Sequence, residues 1–224
     1  MWLDVDIQRR MRAAGQVFDL HVALRCVAPQ VVLCGPSGAG KTLTLRAVAG
    51  LLRPDHGHIR LRDVEVFEHT GQARVDVPAR QRRIGYVFQD YALFPFLSVR
   101  QNVAFGLRSG WFNPGPGVRD ERVERWLQAL RIDGVADSLP GEISGGQRQR
   151  TALARALAPQ PQALLLDEPF AALDHALRDH LRRELQEVLA QAGIPLLLIS
   201  HDPQDVAMFG RQVIQIDRGR VLGP

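Results

Sequence analysis

Lysine is almost absent from this sequence. The chain has 28 lysine and arginine residues, and Lys41 is the only lysine among them. A bias toward arginine codons explains the arginines but not the exception. A compact ammonium on a flexible stem cannot be replaced by a planar guanidinium where the group must enter a narrow phosphate cradle. The exception therefore predicts a phosphate-binding site around Lys41.

Long apolar runs and cysteines are also scarce. No run approaches the roughly 18 apolar residues of a membrane span, so any membrane role is expected to be peripheral. Asp4 and Asp6 interrupt the apolar segment that a signal peptide would need near the N-terminus, so no signal peptide is expected. Cys26 and Cys34 are interpreted as reduced core residues in a reducing cytoplasm. The net charge of +4 is spread along the chain and indicates no particular partner.

The residues 35–42, GPSGAGKT, match the phosphate-loop pattern G-x-x-x-x-G-K-[ST] at every fixed position. A buried strand, 31–34, is predicted before the loop, and a helix that stops at Arg53–Pro54 is predicted after it. The glycines let backbone N–H groups form an anion nest, and Lys41 is expected to reach the β- and γ-phosphates. The hydroxyl of Thr42 is expected on Mg²⁺. The predicted nucleotide-binding residues are Gly35, Pro36, Ser37, Gly38, Ala39, Gly40, Lys41 and Thr42.

Two further motifs carry chemistry. The apolar run of ALLLDEP, 163–169, predicts a buried strand that ends at Asp167, a candidate Mg²⁺ ligand, and Glu168, which is expected to polarise an attacking water. By itself, an apolar run before Asp-Glu is as often structural as functional, but the phosphate loop elsewhere in the sequence favours the functional interpretation.

The second motif is ISGGQRQR, 143–150. In it, Ser144 caps a helix that begins with two glycines, which is a second anion site. Two such sites make sense if each nucleotide lies between two copies of the chain.

The order of these motifs, with Gln89 before the second and His201 after the last, resembles the nucleotide-binding domain of ABC transporters over essentially the whole chain. The resemblance implies an α/β fold: a P-loop, RecA-like nucleotide hydrolase core with an inserted helical signature subdomain. The expected organisation is one domain over 1–224, with the core in 1–89 and 155–224 and the helical subdomain in 90–154. It also implies an ATPase that uses ATP and Mg²⁺ as a homodimer or paired cassette.

The resemblance assigns roles residue by residue. Gln89 would bind Mg²⁺ and water and report to the membrane partner, and His201 would contact the γ-phosphate beside Glu168. Asp174, in the stretch 172–174, would make contacts across the dimer. The signature residues that would contact ATP held by the other subunit are Ser144, Gly145, Gly146 and Gln147.

Two departures from the family pattern concern the nucleotide and the dimer. The family usually stacks adenine on an aromatic side chain, but the corresponding stretch 9–14 has none. Arg9, Arg10 or Arg12 is left as a stacking alternative, or the adenine contact is loose. Ala171 stands where a serine is more usual, so one hydrogen bond across the dimer is expected to be missing.

The segment 82–107 resembles the ATPases of bacterial importers fed by a periplasmic binding protein. The resemblance is closest to molybdate importers, then to sulfate, iron(III) and polyamine importers. Against molybdate, those ATPases often carry a C-terminal β-barrel domain that these 224 residues do not include. The implied partners are an integral membrane permease and, indirectly, the binding protein, which place the chain peripherally at the cytoplasmic face of the inner membrane.

The loop 89–96 is expected to dock the permease, because large apolar groups in a proline-broken loop indicate a partner site. The alternative is that these side chains fill the core of the helical subdomain. A nucleic-acid partner is not expected. ABC ATPases of that class would carry coiled-coil or zinc insertions, and the interval of about a hundred residues before the signature has no heptads.

Overall fold

The computed structural model describes residues 1–13, 16–71, 73–107, 112–171 and 175–223. The chain forms two compact units, one made of Met1–Ile84 and Pro195–Pro224 and the other of Gly85–Ile194. The division into core and helical subdomain at residues 89/90 and 154/155 stays a prediction.

The first unit contains an antiparallel sheet with the strand order β2-β1-β4-β5-β6. Its strands in the described chain are β1 (Leu3–Ala13), β2 (Gln16–Cys26), β4 (His56–Leu61), β5 (Val64–Thr70) and β6 (Ala73–Asp76). Along β1, the alternate residues Leu3, Val5 and Ile7 are buried. This period of two places their side chains on one face of the sheet, against the core.

A second group of strands in this unit has a parallel centre. Its members are β3 (Gln30–Cys34), β9 (Leu196–Ile199), β10 (Gln212–Asp217) and β11 (Arg220–Leu222), in the order β11-β10-β3-β9. Strand β3 is parallel to both β9 and β10, and Val31, Val32 and Leu33 are fully buried. The sequence prediction of a buried strand before the phosphate loop is confirmed. Ligands of such sheets bind beyond the carboxyl ends of the parallel strands.

Helix α1 (Lys41–Ala49) follows the loop and ends earlier than predicted. Gly50 adopts a left-handed conformation with φ of 78° and donates its N–H to carbonyls of the last turn, so the helix stops before Arg53–Pro54. The buried guanidinium of Arg82 donates to the carbonyls of Ala47 and Val48 at 2.8 and 3.0 Å. A positive charge at this end of the helix also stabilises its dipole.

The second unit contains four α-helices of the described chain and most of β7 (Ile84–Val87), which neighbours β8 (Ala163–Asp167). The helices are α2 (Val99–Phe105), α3 (Glu121–Ala129), α4 (Gly145–Leu157) and α5 (His175–Ala192). Every residue of β8 is buried, which confirms the buried strand predicted from its apolar run. Helices α2, α3 and α4 pack against one another. Among the described residues, no helix is both long and apolar enough to cross a bilayer.

The two cysteines are free thiols that differ in burial. Cys26 is fully buried, and burial raises the pKa of its thiol to about 12. Cys34, at the end of β3, is only half-buried, so the interpretation of both residues as core residues holds for Cys26 alone. The position of Cys34 next to the phosphate loop keeps it near the surface.

Candidate functional site

The phosphate loop has a backbone that only glycine accommodates at two positions. Gly35 has φ of 144°, and a Cβ there would lie 2.0 Å from the carbonyl oxygen of Ile216. Gly40 has φ of 102°, and a Cβ there would lie 2.8 Å from Cδ1 of Leu20. L-residues other than glycine are strained in this region of φ. The loop therefore requires the glycines that the motif supplies.

Lys41 opens helix α1, and its side chain turns back over the loop. Its Nζ donates to the carbonyl oxygens of Gly35 and Pro36 at 2.7 and 2.9 Å, and the residue is 7% exposed. Thr44 closes the first turn, because both its N–H and its hydroxyl donate to the carbonyl of Gly40. The ammonium is thus held inside the loop, where anionic phosphate oxygens would meet it. Thr42, next on the helix, is half-buried.

A cavity of about 580 Å³ adjoins the loop in the first unit. Its lining residues come from the loop (36–39), from β2 (17–19) and from the turn between β10 and β11 (Asp217, Arg218 and Arg220). Phe18 of β2 lies against the loop, with its Cζ 3.3 Å from the position of a Cβ on Gly40. The first unit therefore supplies an aromatic side chain at the loop, although the stretch 9–14 has none.

The register of the β1–β2 hairpin explains why sequence reasoning missed Phe18. Met11, within the stretch 9–14, pairs with Phe18 across the hairpin, so the aromatic stands opposite the expected position on the next strand. Two of the suggested stacking arginines are engaged in ion pairs. Arg9 contacts Asp55 at 2.5 Å, and Nε of Arg10 lies 3.2 Å from Asp19. A cross-strand partner could have been found from the hairpin's alternation of apolar residues.

His201 follows β9 in the first unit and is exposed. The hydroxyl of the buried Ser200 donates to the carboxylate of Asp205 and accepts from the N–H of Asp202, and Asp202 caps helix α6 (Pro203–Phe209). These bonds fix the turn that carries His201. Leu33 and Ile199 are partners in the parallel pair β3–β9, so the phosphate loop and His201 leave the same edge of the sheet.

The acidic pair lies in the second unit, at the end of β8. Asp167 is 4% exposed, and the hydroxyl of Tyr86 donates to its Oδ2 at 3.3 Å. Glu168 is half-buried and has φ of 46°. A left-handed conformation costs an L-residue about 1–2 kcal/mol, and such strain concentrates at functional sites. The turn at Glu168 redirects the chain as soon as β8 ends.

The predicted Mg²⁺ ligands are chemically suited to that ion. Asp167 offers a carboxylate, Thr42 a hydroxyl and Gln89, exposed in the turn after β7, an amide oxygen. Mg²⁺ prefers such oxygen donors. Thr42 belongs to the first unit, and Gln89 and Asp167 belong to the second. Within the described chain, no cluster of three or more His, Cys, Asp and Glu side chains is arranged to hold a metal.

The signature forms the start of α4, as predicted. Ser144 is the N-cap: its Oγ accepts from the N–H of Gln147 at 3.2 Å, and the side chain of Gln147 accepts from the N–H of Ser144 at 2.8 Å. This capping box uses the serine oxygen only as an acceptor, so its hydroxyl hydrogen can still be donated to a ligand. Gly145 and Gly146 occupy the first two helical positions. Asp174 and its stretch 172–174 lie outside the described residues.

The segment after Gln89 is tied to its own unit by Tyr91. Tyr91 is 7% exposed, its hydroxyl lies 3.5 Å from the carbonyl of Pro169, and burial raises its pKa. Arg155 of α4 donates to the carbonyls of Tyr91 and Ala92, both at 2.7 Å. Tyr91 is therefore a core residue. Phe96 is 89% exposed.

Comparisons with known proteins agree with this arrangement. The chain is 39% identical over 219 residues to the sulfate/thiosulfate import ATP-binding protein CysA 2 of Agrobacterium fabrum, covering 95% of this chain and 62% of that protein. It is 41% identical over 191 residues to the Fe(3+) ions import ATP-binding protein FbpC 2 of Haemophilus influenzae, covering 85% and 52%. The chain thus spans between half and two thirds of the length of these relatives.

A solved structure shares the fold over the whole chain. It is the dimeric, post-hydrolysis state of the ATP-binding cassette MJ0796 bound to ADP and Pi, with a TM-score of 0.81 and 29% identity, covering 100% of this chain and 97% of that one. The predicted mixed α/β cassette fold is confirmed. A family model described as ABC transporter matches residues 26–171, more than half of the sequence. The chain therefore belongs to the ABC transporter family.

Proposed function

We propose that this chain is the ATP-binding subunit of a bacterial ABC importer and that it hydrolyses ATP in a head-to-tail dimer or paired cassette. The observation that carries the proposal is the succession of strand β3, the phosphate loop and helix α1. In it, Lys41 is held at 2.7 and 2.9 Å by two loop carbonyls and is 7% exposed. A buried ammonium inside a glycine loop at a helix start is a site for the phosphates of a nucleotide.

In the proposed reaction, a water attacks the γ-phosphorus, the bond to the β-phosphate oxygen breaks, and ADP leaves. Glu168 polarises the water and accepts its proton, and His201 contacts the γ-phosphate. When bound, Mg²⁺ would neutralise charge on the β- and γ-phosphates. Thr42, Gln89 and Asp167 would supply its ligands.

The dimer is proposed because the signature is a second anion site. The N–H groups of Gly145 and Gly146 and the hydroxyl of Ser144 would take the γ-phosphate of ATP held by the other chain. Asp174 is proposed to contribute at the same interface. The solved structure of MJ0796 is a dimer and shares the fold of this chain, which supports the proposed dimer by similarity. ATP then closes the two chains, and loss of the γ-phosphate lets them part, which is a ligand-biased change between two states.

The catalytic proposal is tested by Glu168→Gln, with Glu187→Gln on the exposed face of α5 as the matched control. Loss of a general base lowers turnover by at least about 10²-fold, while ATP binding is retained. We expect Glu168→Gln to elute at twice the monomer mass in MgATP on size exclusion. A monomer with wild-type turnover would assign Glu168 a structural role only.

We further propose that the imported substrate is sulfate/thiosulfate or iron(III) rather than molybdate. The support comes from the substrates for which the relatives above are named, which favour these alternatives over the molybdate resemblance. The permease and a periplasmic binding protein would choose the substrate, and the chain would associate peripherally with the permease. Deleting the gene should abolish uptake of radiolabelled sulfate or iron(III) and leave molybdate uptake unchanged. Loss of molybdate uptake alone would reverse this choice.

A further inference from the structure

We infer that the turn between β10 and β11 binds the nucleoside end of the nucleotide, with Arg218, Arg220 and Phe18 lining its site. The inference rests on the proposed nucleotide function and adds a specificity site to it. All three residues line the same cavity in the first unit, beside the phosphate loop.

The turn is fixed to the loop by its backbone. The N–H of Gly219 donates to the carbonyl of Ala39 at 2.9 Å, and its carbonyl accepts from the N–H of His21 at 2.7 Å. A Cβ on Gly219 would lie 2.3 Å from the carbonyl oxygen of Asp19. Only glycine permits this approach, so the turn is held between the phosphate loop and β2. The two flanking arginines are thereby kept at the cavity.

The two guanidinium groups are available to a ligand. Arg218 and Arg220 are exposed, and neither side chain makes a hydrogen bond or ion pair with another residue in the part of the chain that the structure describes. The nearby carboxylate of Asp19 lies 3.2 Å from Nε of Arg10. Asp217 also lines the cavity, and among the described residues neither its carboxylate nor that of Asp19 forms an ion pair with Arg218 or Arg220. Both guanidinium groups therefore keep their donors and planar faces for a ligand.

In the proposed function, the loop backbone and Lys41 bind the phosphates, so the rest of the cavity is left for another part of the nucleotide. The cavity of about 580 Å³ extends beyond the loop to Val17, which is 51% exposed, and to Phe18. A nucleobase has flat apolar faces, which stack on an aromatic ring or on the plane of a guanidinium. The combination of an aromatic wall and a guanidinium wall therefore fits the base and ribose.

The test separates base binding from phosphate binding. Titration calorimetry in the presence of Mg²⁺ measures the Kd of ATP and of inorganic tripolyphosphate. The variant is Arg218→Ala/Arg220→Ala, and the charge-matched control is Arg74→Ala/Arg211→Ala, two exposed arginines of the same unit. Loss of cation–π stacking should raise the Kd of ATP about tenfold. The Kd of tripolyphosphate should change no more than it does in the control.

Each other outcome overturns a defined statement. If the Kd of both ligands rises equally and above the control, the arginines bind phosphate and the base assignment is wrong. If the variant and the control match for ATP, the turn binds no nucleotide and the inference fails, while the proposed ATPase stands. If the wild-type chain binds neither ligand, the proposed function itself fails. Thermal unfolding of all variants at the wild-type temperature confirms that these surface changes leave the fold intact.

Discussion

The ammonium group of Lys41 is matched to the backbone of the phosphate loop. Lys41 is the only lysine of the sequence, and it is 7% exposed, with its ammonium 2.7 and 2.9 Å from two carbonyls of the loop. A small cation with three donors can satisfy these carbonyls and still reach a phosphate. The loop backbone is shaped around that group, since the glycines at 35 and 40 accept no side chain.

Replacing Lys41 by arginine should therefore abolish function although the charge is kept. A planar guanidinium does not fit between the carbonyls of Gly35 and Pro36, and we expect ATP affinity to fall at least about tenfold. Titration calorimetry measures this fall, and Arg46→Lys, on the exposed side of the same helix, is the control. Near-normal ATPase activity in Lys41→Arg would show that the loop needs only a positive charge.

Helix α4 joins two features of the second unit. Its start carries the signature, where the capping box of Ser144 and Gln147 fixes the first turn. Two turns later, Arg155 donates to the carbonyls of Tyr91 and Ala92, and both of these residues have positive φ. The helix therefore links the segment after Gln89 to the signature. Burial lowers the pKa of the Arg155 guanidinium without discharging it, because arginine stays protonated at any ordinary pH.

The start of α4 should act on the nucleotide of the other chain. We expect Lys41→Ala and Gly145→Asp each to be inactive, the second because a carboxylate at the helix start occupies the anion site. In a mixed dimer both lesions fall in one composite site, and the other site is intact. Mixing the two variants should restore part of the ATPase rate, measured as phosphate release. No recovery in mixed dimers shown to form by differential tagging would contradict the head-to-tail arrangement.

At the scale of the whole molecule, the side chains of the predicted permease surface differ in exposure. The sequence assigned docking to the loop 89–96, but Tyr91 is buried and Phe94 is 37% exposed, with its ring 4.2 Å from that of Phe105. Phe96 alone among the aromatics of this loop is 89% exposed. Single exposed apolar side chains are common on protein surfaces, but Phe96 lies in the loop that directly follows Gln89. We therefore assign the proposed contact to Phe96.

Phe96→Ser should leave the melting temperature and the ATPase activity of the isolated chain unchanged. In the assembled transporter it should abolish uptake, because the permease loses its apolar contact. Phe112→Ser removes another exposed aromatic, 82% exposed in the same unit, and should have no effect. Tyr91→Ser should lower the melting temperature by removing a core side chain. Normal transport with Phe96→Ser would place the docking surface elsewhere.

Much of the fold was predictable because its signals are local. Buried strands such as β3 and β8 are short apolar runs, and the phosphate loop is a fixed motif. Ser144 is an N-cap residue type and predicts the helix that follows it. The end of α1 was predicted at Arg53–Pro54 because proline breaks helices. The helix ends earlier, before Gly50, because this glycine adopts a left-handed conformation that closes the last turn. In addition, Arg82 donates to the carbonyl of Ala47, 35 positions away in the sequence. A bond of that range leaves no local pattern.

The sequence by itself determined the phosphate loop, the acidic pair, the signature and the family, since each depends on residue types at fixed spacing along the chain. Only the tertiary structure decided which side chains surround the loop. Phe18 reaches it through the pairing of two strands, and the turn of Arg218 reaches it through hydrogen bonds to Ala39 and His21. The physical reason is that a cavity is formed by residues distant in the chain, and their convergence depends on packing and register rather than on spacing.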